Sequence, residues 1–426
     1  MNRLRCRFLM GPAVALALVL NTVVPAFAAD KLTLNDVVNA AVNSNPAVTE
    51  AQKRWEEKDN KIISARALAN PQFGIMKDDI PRGSLLAPGQ AMMTEFSFVQ
   101  DIMNPAKLKL MGKMAASDAA MSRGNYQEKR LQVYVDAKQA YYDLLYASRA
   151  LAIGKENQQL MGQLAKIAQV NYSTGMVPLQ DTLRAQTEYS KMTTDLISMA
   201  GMEAVAKARL NVAMGRQADS ELSVAEEFSA PPPNFDLASL QAAAVSEKPA
   251  IQGMQAQLAM AESGVQLAKK QASLPDIQLT LAYKDYRSDE MTPDTWKVGV
   301  MFMLPLWGGK NQADIKASAA SLEASKAALE SMKNMAGLDV QMALTEAQTN
   351  WRQIDLYKNT ILPQAEQSYQ AAVVAYTNGK ADFMAVLDGL NTLRNTKLAY
   401  YKARIDYEKA AANLEKAVGK PLFTSI

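Results

Sequence analysis

Two stretches decide the reading: NYSTGMVPLQDTL (171–183) and AYTNGKADFMAVL (375–387). Each runs Tyr-x-x-Gly into a short polar turn and then into a helix-like apolar pattern. Tyr172 and Tyr376 stand 204 residues apart, and so do Gly175 and Gly379. The same interval relates Gly215 to Gly419 and Pro71 to Pro275. Pro46 and Pro249 are separated by 203, and in that register Leu34, Val37, Ala41 and Val42 answer Leu237, Leu240, Ala244 and Val245. A single one-residue slip reconciles the set, so the chain is a tandem duplication.

The domain organisation follows from that duplication. A first copy covers 29–217 and a second covers 235–421, joined by a linker at 218–234 and followed by a tail at 422–426. Pro231, Pro232 and Pro233 in the linker favour an extended connector. Residues 1–28 carry Arg3, Arg5 and Arg7, an apolar core, and Ala26-Phe27-Ala28, which reads as a secretory signal peptide with its cleavage site.

The +3 excess of basic over acidic residues equals the three arginines of that segment, so the remainder is balanced and carries no basic bias toward nucleic acid. The chain has no histidine, and its one cysteine, Cys6, precedes the apolar core. Cys-His chemistry and the usual zinc sites are thereby excluded. No nucleophile elbow, P-loop or dinucleotide fingerprint occurs, so no enzyme and no cofactor are expected. The 24 methionines are scattered along the chain and read as flexible core filler.

Between Ala106 and Val177 there is no proline, and one helix of that length would span about 100 Å. After the first turn, Tyr189, Met192, Leu196, Met199, Ala206, Leu210 and Ala213 keep a three-four spacing interrupted at Glu203. The second copy repeats it with Leu393, Tyr400, Ala403, Ala410, Leu414 and Ala417, interrupted at Thr396. Such a seam predicts coiled-coil packing. Each copy therefore reads as a long antiparallel helical hairpin, at about 106–215 and 310–419, with its tip at the quoted stretch. Thr182 and Asp382 are expected to start the returning helices, and Gly215 and Gly419 to stop them.

Elsewhere the period changes to two. Ile277, Leu279, Leu281 and Tyr283 alternate with Gln278, Thr280, Ala282 and Lys284, and Trp296, Val298, Val300, Phe302 and Leu304 form a second alternating run. Phe73 and Ile75, then Met92, Thr94, Phe96 and Phe98, give a fainter pair in the first copy. Four strands are expected, at about 72–78, 91–100, 276–285 and 296–305. Alternation alone also suits a half-buried hairpin of a soluble protein. Aromatics near the strand ends, Tyr283, Tyr286, Trp296 and Trp307, suit the two interfaces of a membrane-crossing strand. Four strands cannot close on themselves, and an open edge cannot sit in lipid, so several chains would have to share one barrel.

In these features the sequence resembles the TolC family of outer-membrane efflux channels over nearly its whole length. The resemblance rests on NPAVTEAQ with KPAIQGMQ, on NP and LP before the strands, on the paired Tyr-x-x-Gly tips, and on LNVAMG with LEKAVG. DDIPRGSLLAPGQAMMTEFSFVQDIMNPAKLKLMG further resembles the heavy-metal-efflux members. The resemblance implies a mainly α fold in which long coiled-coil hairpins form an α-barrel, while four strands per chain contribute to a trimeric, 12-stranded outer-membrane β-barrel.

It also implies a homotrimer in the outer membrane of a Gram-negative bacterium, reaching into the periplasm. Its partners would be membrane lipid, a periplasmic adaptor and an inner-membrane pump. Of the acidic pair that rings the family's periplasmic constriction, Asp388 is present, whereas Ala385 replaces the other member. The family's tip tyrosine and its hydrogen-bonding aspartate correspond to Tyr376 and Asp181, and its latching arginine corresponds to Ala381. Tyr172, Gly175 and Gly379 complete the candidate tip and docking residues. The competing reading is a soluble periplasmic coiled-coil adaptor or scaffold.

Overall fold

The computed structural model describes residues 31–78, 80, 91–228, 230–286 and 293–422. The signal-peptide expectation and most of both strand-connecting loops lie outside them.

Each copy begins with two short helices whose starts are written locally. Helix α1 (Leu34–Ser44) opens on a capping box, with the Thr33 amide donating to Asp36 Oδ2 and the Asp36 amide to Thr33 Oγ1. Helix α2 (Pro46–Arg66) is capped by Asn45, with Pro46 at a position where no amide is needed. In the second copy α5 (Leu237–Glu247) is capped by Asp236, and α6 (Pro249–Gln271) again starts on proline. The sequence reading matched these segments to each other without assigning them as helices.

The strands are β1 (Gln72–Asp78), β2 (Met93–Ile102), β3 (Asp276–Tyr286) and β4 (Thr295–Met303). They form one antiparallel sheet in the order β1-β2-β3-β4, open at both edges. The register runs Phe73↔Phe98↔Leu281↔Val298 and Ile75↔Phe96↔Tyr283↔Trp296. Since residues paired across strands share a face, these side chains all lie on one side. The other side carries Gly74↔Ser97↔Ala282↔Lys297, together with the Glu95–Lys284 ion pair at 3.5 Å and a Gln278–Asp101 hydrogen bond at 2.8 Å.

Helix α3 (Pro105–Ser173) runs unbroken for 69 residues, about 100 Å. It turns at the first tip into α4 (Leu179–Ala213). In the second copy α7 (Gly308–Leu356) passes through a π-helical turn at Tyr357–Ile361 into α8 (Leu362–Thr377), and α9 (Phe383–Val418) returns. The outgoing arm is thus not the uniform helix expected. Pro363 has no amide to donate and its ring crowds the carbonyl of Asn359, and the widened turn accommodates both.

Helix α4 packs along α3, α7 and α8 pack along α9, and α3 meets α9 between the hairpins. The seam of α4 buries Thr182, Ala185, Met192, Ala206 and Leu210. Its interruption at Glu203 accepts a hydrogen bond from Ser148 at 2.9 Å. Two cores result. One lies at mid-height around Tyr141, Tyr142, Leu144 and Leu210, and the other lies at the tips.

Candidate functional site: a helical tip and a one-sided sheet

The tip turns are superimposable in their hydrogen bonding. Gly175 N–H donates to Tyr172 O at 3.0 Å and Met176 N–H to Asn171 O at 2.8 Å; Gly379 donates to Tyr376 O at 3.0 Å and Lys380 to Ala375 O at 2.8 Å. This is the Schellman closure, and it places Gly175 at φ +75° and Gly379 at φ +68°, where glycine escapes the Cβ clash. At the returning helices the copies diverge. Asp382 caps α9 as expected, its Oδ1 accepting from Ala385 N–H at 2.8 Å.

Thr182 does not start α4. Pro178 occupies the cap position with extended backbone, and α4 begins at Leu179. The Thr182 hydroxyl, one turn inside, donates to Ala168 O at 3.4 Å.

Both hairpins contribute to the tip core, which joins Met161, Leu164 and Ala168 of α3 and Ala185 and Met192 of α4 to Tyr369, Tyr376, Phe383, Val386, Leu387 and Leu390. Tyr376 is fully buried edge-on to Phe383, with ring centroids 5.7 Å apart, whereas Tyr172 is 44% exposed. The Tyr376 hydroxyl has no hydrogen-bond partner among the described residues, so the bond to Asp181 implied by the resemblance is not formed within the chain. Asp181 still acts on it through space. Burial first, then the nearby Asp181 charge, pushes the tyrosine up to about 12. Burial and, next, the charge of Asp382 raise Asp181 itself.

Asp388 is exposed, on the side of α9 away from the buried Val386, Leu387 and Leu390, and Ala385 is exposed beside it. Sequence reasoning did not find the ion pairs that join the hairpins just above the tip: Arg394 to Asp195 at 3.3 Å and Lys397 to Glu156 at 2.8 Å. Their two cations sit three residues apart on α9 and could be read as one face; their partners lie 199 and 241 positions away in the chain and could not.

Among the described residues nothing covers the sheet's apolar face. Phe73, Trp296 and Val298 are about 70% exposed or more, and Ile75, Val300 and Phe302 are more than half exposed. Tyr283 stacks at a tilt on Trp296, centroids 5.1 Å apart, and its hydroxyl donates to Asp294 at 2.6 Å. Trp307 is exposed at the opposite end, where β4 gives way to α7. Tyr286 belongs elsewhere: its pairing with Met93 puts it on the Glu95–Lys284 face, because it lies an odd number of residues from Tyr283. Among the described residues no helix is long and apolar enough to cross a membrane.

At the junction of sheet and helices, Asp276 accepts from the Asn104 amide at 3.1 Å and from Lys107 Nζ at 2.8 Å. The first turn of α3 is thereby tied to the start of β3.

An open sheet with one apolar and one polar face, continued by helical hairpins about 100 Å long, is a TolC-like fold. The comparisons agree. The model of the outer membrane efflux protein family matches residues 240–420, which lie in the second copy. It is 23% identical over 420 residues to the cobalt-zinc-cadmium resistance protein CzcC of Cupriavidus metallidurans, covering 93% of this chain and 92% of that protein. It is 22% identical over 406 residues to the outer membrane protein TolC of Salmonella enteritidis, covering 91% and 82%.

Among solved structures, CusC superimposes with a TM-score of 0.78 at 17% identity, covering 92% of this chain and 93% of that one. The outer-membrane channel OprN gives 0.77 at 14%, covering 91% and 89%. Both the matching family model and the TolC relative are described as outer-membrane proteins.

Proposed function

We propose that three copies of this chain assemble into an exit duct of a tripartite efflux system, taking substrate from an inner-membrane pump and a periplasmic adaptor and conducting it passively outward. One observation carries the reading: a four-stranded sheet whose apolar face is bare and whose two edges, β1 and β4, are unpaired. Unpaired backbone groups cannot remain in hydrocarbon, so β1 of one copy would pair with β4 of the next until the ring closes. The helical layer has matching free sides. Leu183, Ile197, Val205 and Val212 are exposed on α4, and Met335, Leu338, Met342 and Val374 on α7 and α8.

In that ring the Glu95–Lys284 face lines the pore. The tips, with Tyr172, Gly175, Gly379, Asp181 and Tyr376, form the periplasmic mouth and the adaptor's docking surface. Asp388 from three protomers makes a cation-attracting ring in the narrow lumen. Metal ions are the proposed cargo, a reading supported by the cobalt-zinc-cadmium resistance protein that matches along the whole length.

Planar-bilayer recording tests the duct: the purified protein should give discrete conductance steps, and Asp388→Ala should weaken cation selectivity and block by multivalent cations. Absence of steps would refute the duct, and unchanged selectivity would refute the ring. Deletion should lower metal tolerance; unchanged metal tolerance with new sensitivity to organic compounds would remove metal as cargo. A chain released from the membrane pellet by salt washing would instead be the periplasmic scaffold.

A further inference from the structure

The segment joining the two copies is fixed at many more points than a tether requires. Its start forms a short parallel bridge with the head of the first copy: Leu32 N–H donates to Ser223 O at 2.9 Å and Ala225 N–H to Leu32 O at 3.0 Å. Glu227 accepts from the Leu34 amide at 3.1 Å. From α3, the Tyr141 hydroxyl donates to Ala225 O and Arg149 pairs with Glu226. The segment then crosses to α9. The Arg404 guanidinium lies 3.6 Å from the centroid of the Phe228 ring, and Ala230 N–H donates to the two Glu408 oxygens at 3.2 and 3.3 Å. The Tyr407 hydroxyl donates to Pro231 O.

Beneath the crossing, α3 and α9 are joined by buried polar bonds. Tyr142 donates to Glu408 at 2.8 Å and Lys138 to Glu415 at 2.6 Å, with Glu415 also accepting from the Leu422 amide at 2.9 Å. Glu408 and Glu415 are 4% and 0% exposed. A peptide group that loses a buried partner here finds little water to replace it, so each anchor resists release.

We propose that residues 223–228 and 230–231 are a cross-brace between the two hairpins, with Tyr141, Tyr407 and Glu408 as positioning residues that set the angle between α3 and α9 and thereby the separation of the tips. The lever is long. Tyr142 and Tyr172 lie on the same unbroken helix, about 45 Å apart, so a rotation of about 5° at the brace moves the tip by about 4 Å. The joint tip core can part only if the brace allows that rotation. The proposal depends on the duct reading solely for its conductance measurement.

The test uses the full mature protein in detergent or nanodiscs, comparing wild type with the Tyr141→Phe/Tyr407→Phe double variant, which keeps both rings and removes only the two donors. Hydrogen exchange at 223–231 should rise about tenfold, as expected for two lost hydrogen bonds. Exchange at 161–168 and 383–393 should rise with it, while β1 to β4 stay protected and resting conductance increases. A faster connector with unchanged tips and conductance would overturn the brace, as would a connector whose exchange does not change. Should the double variant lose protection in the sheet as well, Glu408→Gln, which keeps an acceptor oxygen and the side chain's shape, is read by the same criteria. If wild type itself conducts nothing, the duct reading fails and tip exchange alone decides the brace.

Discussion

Tyr172 and Tyr376 hold the same place in two turns of the same geometry, yet one ring is half in solvent and the other is sealed under both hairpins. A buried hydroxyl without a partner is a liability rather than a support. Tyr376→Phe should therefore leave stability unchanged or raise it by about 1 kcal/mol, whereas Tyr376→Ala should cost about 3–5 kcal/mol through the cavity it leaves. Urea unfolding of the purified protein separates the two, and a loss of stability in the phenylalanine variant would mean that the hydroxyl gains a partner on assembly.

Asp181 gives a pH test with a defined sign. Its pKa in the folded protein is raised by burial and then by Asp382, so its favourable contribution is complete below the ordinary value of 3.8 and disappears as pH rises through the raised value. Exchange protection of 161–168 should therefore strengthen on acidification across that window, and Asp181→Asn should flatten the response. Strengthening that persists in the asparagine variant would assign the effect to another group. None of this asymmetry was legible in the sequence. Both tips spell Tyr-x-x-Gly, and what separates the tyrosines is the α3 and α4 surface brought over one of them.

At the scale of elements, the legible parts were those whose cause is local. The glycine closures, the Asp382 cap, the three-four seams and the alternation at 277–283 each follow from residues within a turn or two. Gly419 shows how strict such a position is. At φ +92°, an added Cβ would also come within 2.6 Å of the Lys248 Cα, so Gly419→Ala should destabilise by clearly more than the roughly 1–2 kcal/mol of the left-handed backbone alone. Gly175, at φ +75° with open space around it, should cost only that amount. Equal losses in thermal unfolding would refute the packing argument.

The elements that sequence reasoning missed have distant causes or competing ones. The π-helical turn before Pro363 continues a pattern that reads as ordinary helix. Pro178 displaces Thr182 from the cap because extended backbone before a helix suits proline as well as threonine. The prolines at 231–233 suggest an extended connector, but its anchors, Tyr141, Tyr407 and Glu408, lie on helices remote in the chain.

Over the whole molecule, one chain leaves apolar surface exposed on both its helices and its sheet. Its helices bury a seam between the copies and leave apolar sides on α4, α7 and α8, and its sheet presents Phe73, Trp296 and Val298 exposed among the described residues. The duplication accounts for this shape. Each copy supplies two strands and one hairpin, β2 and β3 join the copies within the sheet, and β1 and β4 remain as edges of opposite ends. A head-to-tail contact between such edges closes if the rotation per copy divides the circle, and otherwise grows without end.

The most direct test is the mass of the assembly extracted from outer membranes in mild detergent, measured by native mass spectrometry after the detergent is stripped. Three chains per particle, held together through the strands and insoluble once detergent is withdrawn, is the predicted result. A single chain that stays folded and soluble in detergent-free buffer would contradict the account at its foundation.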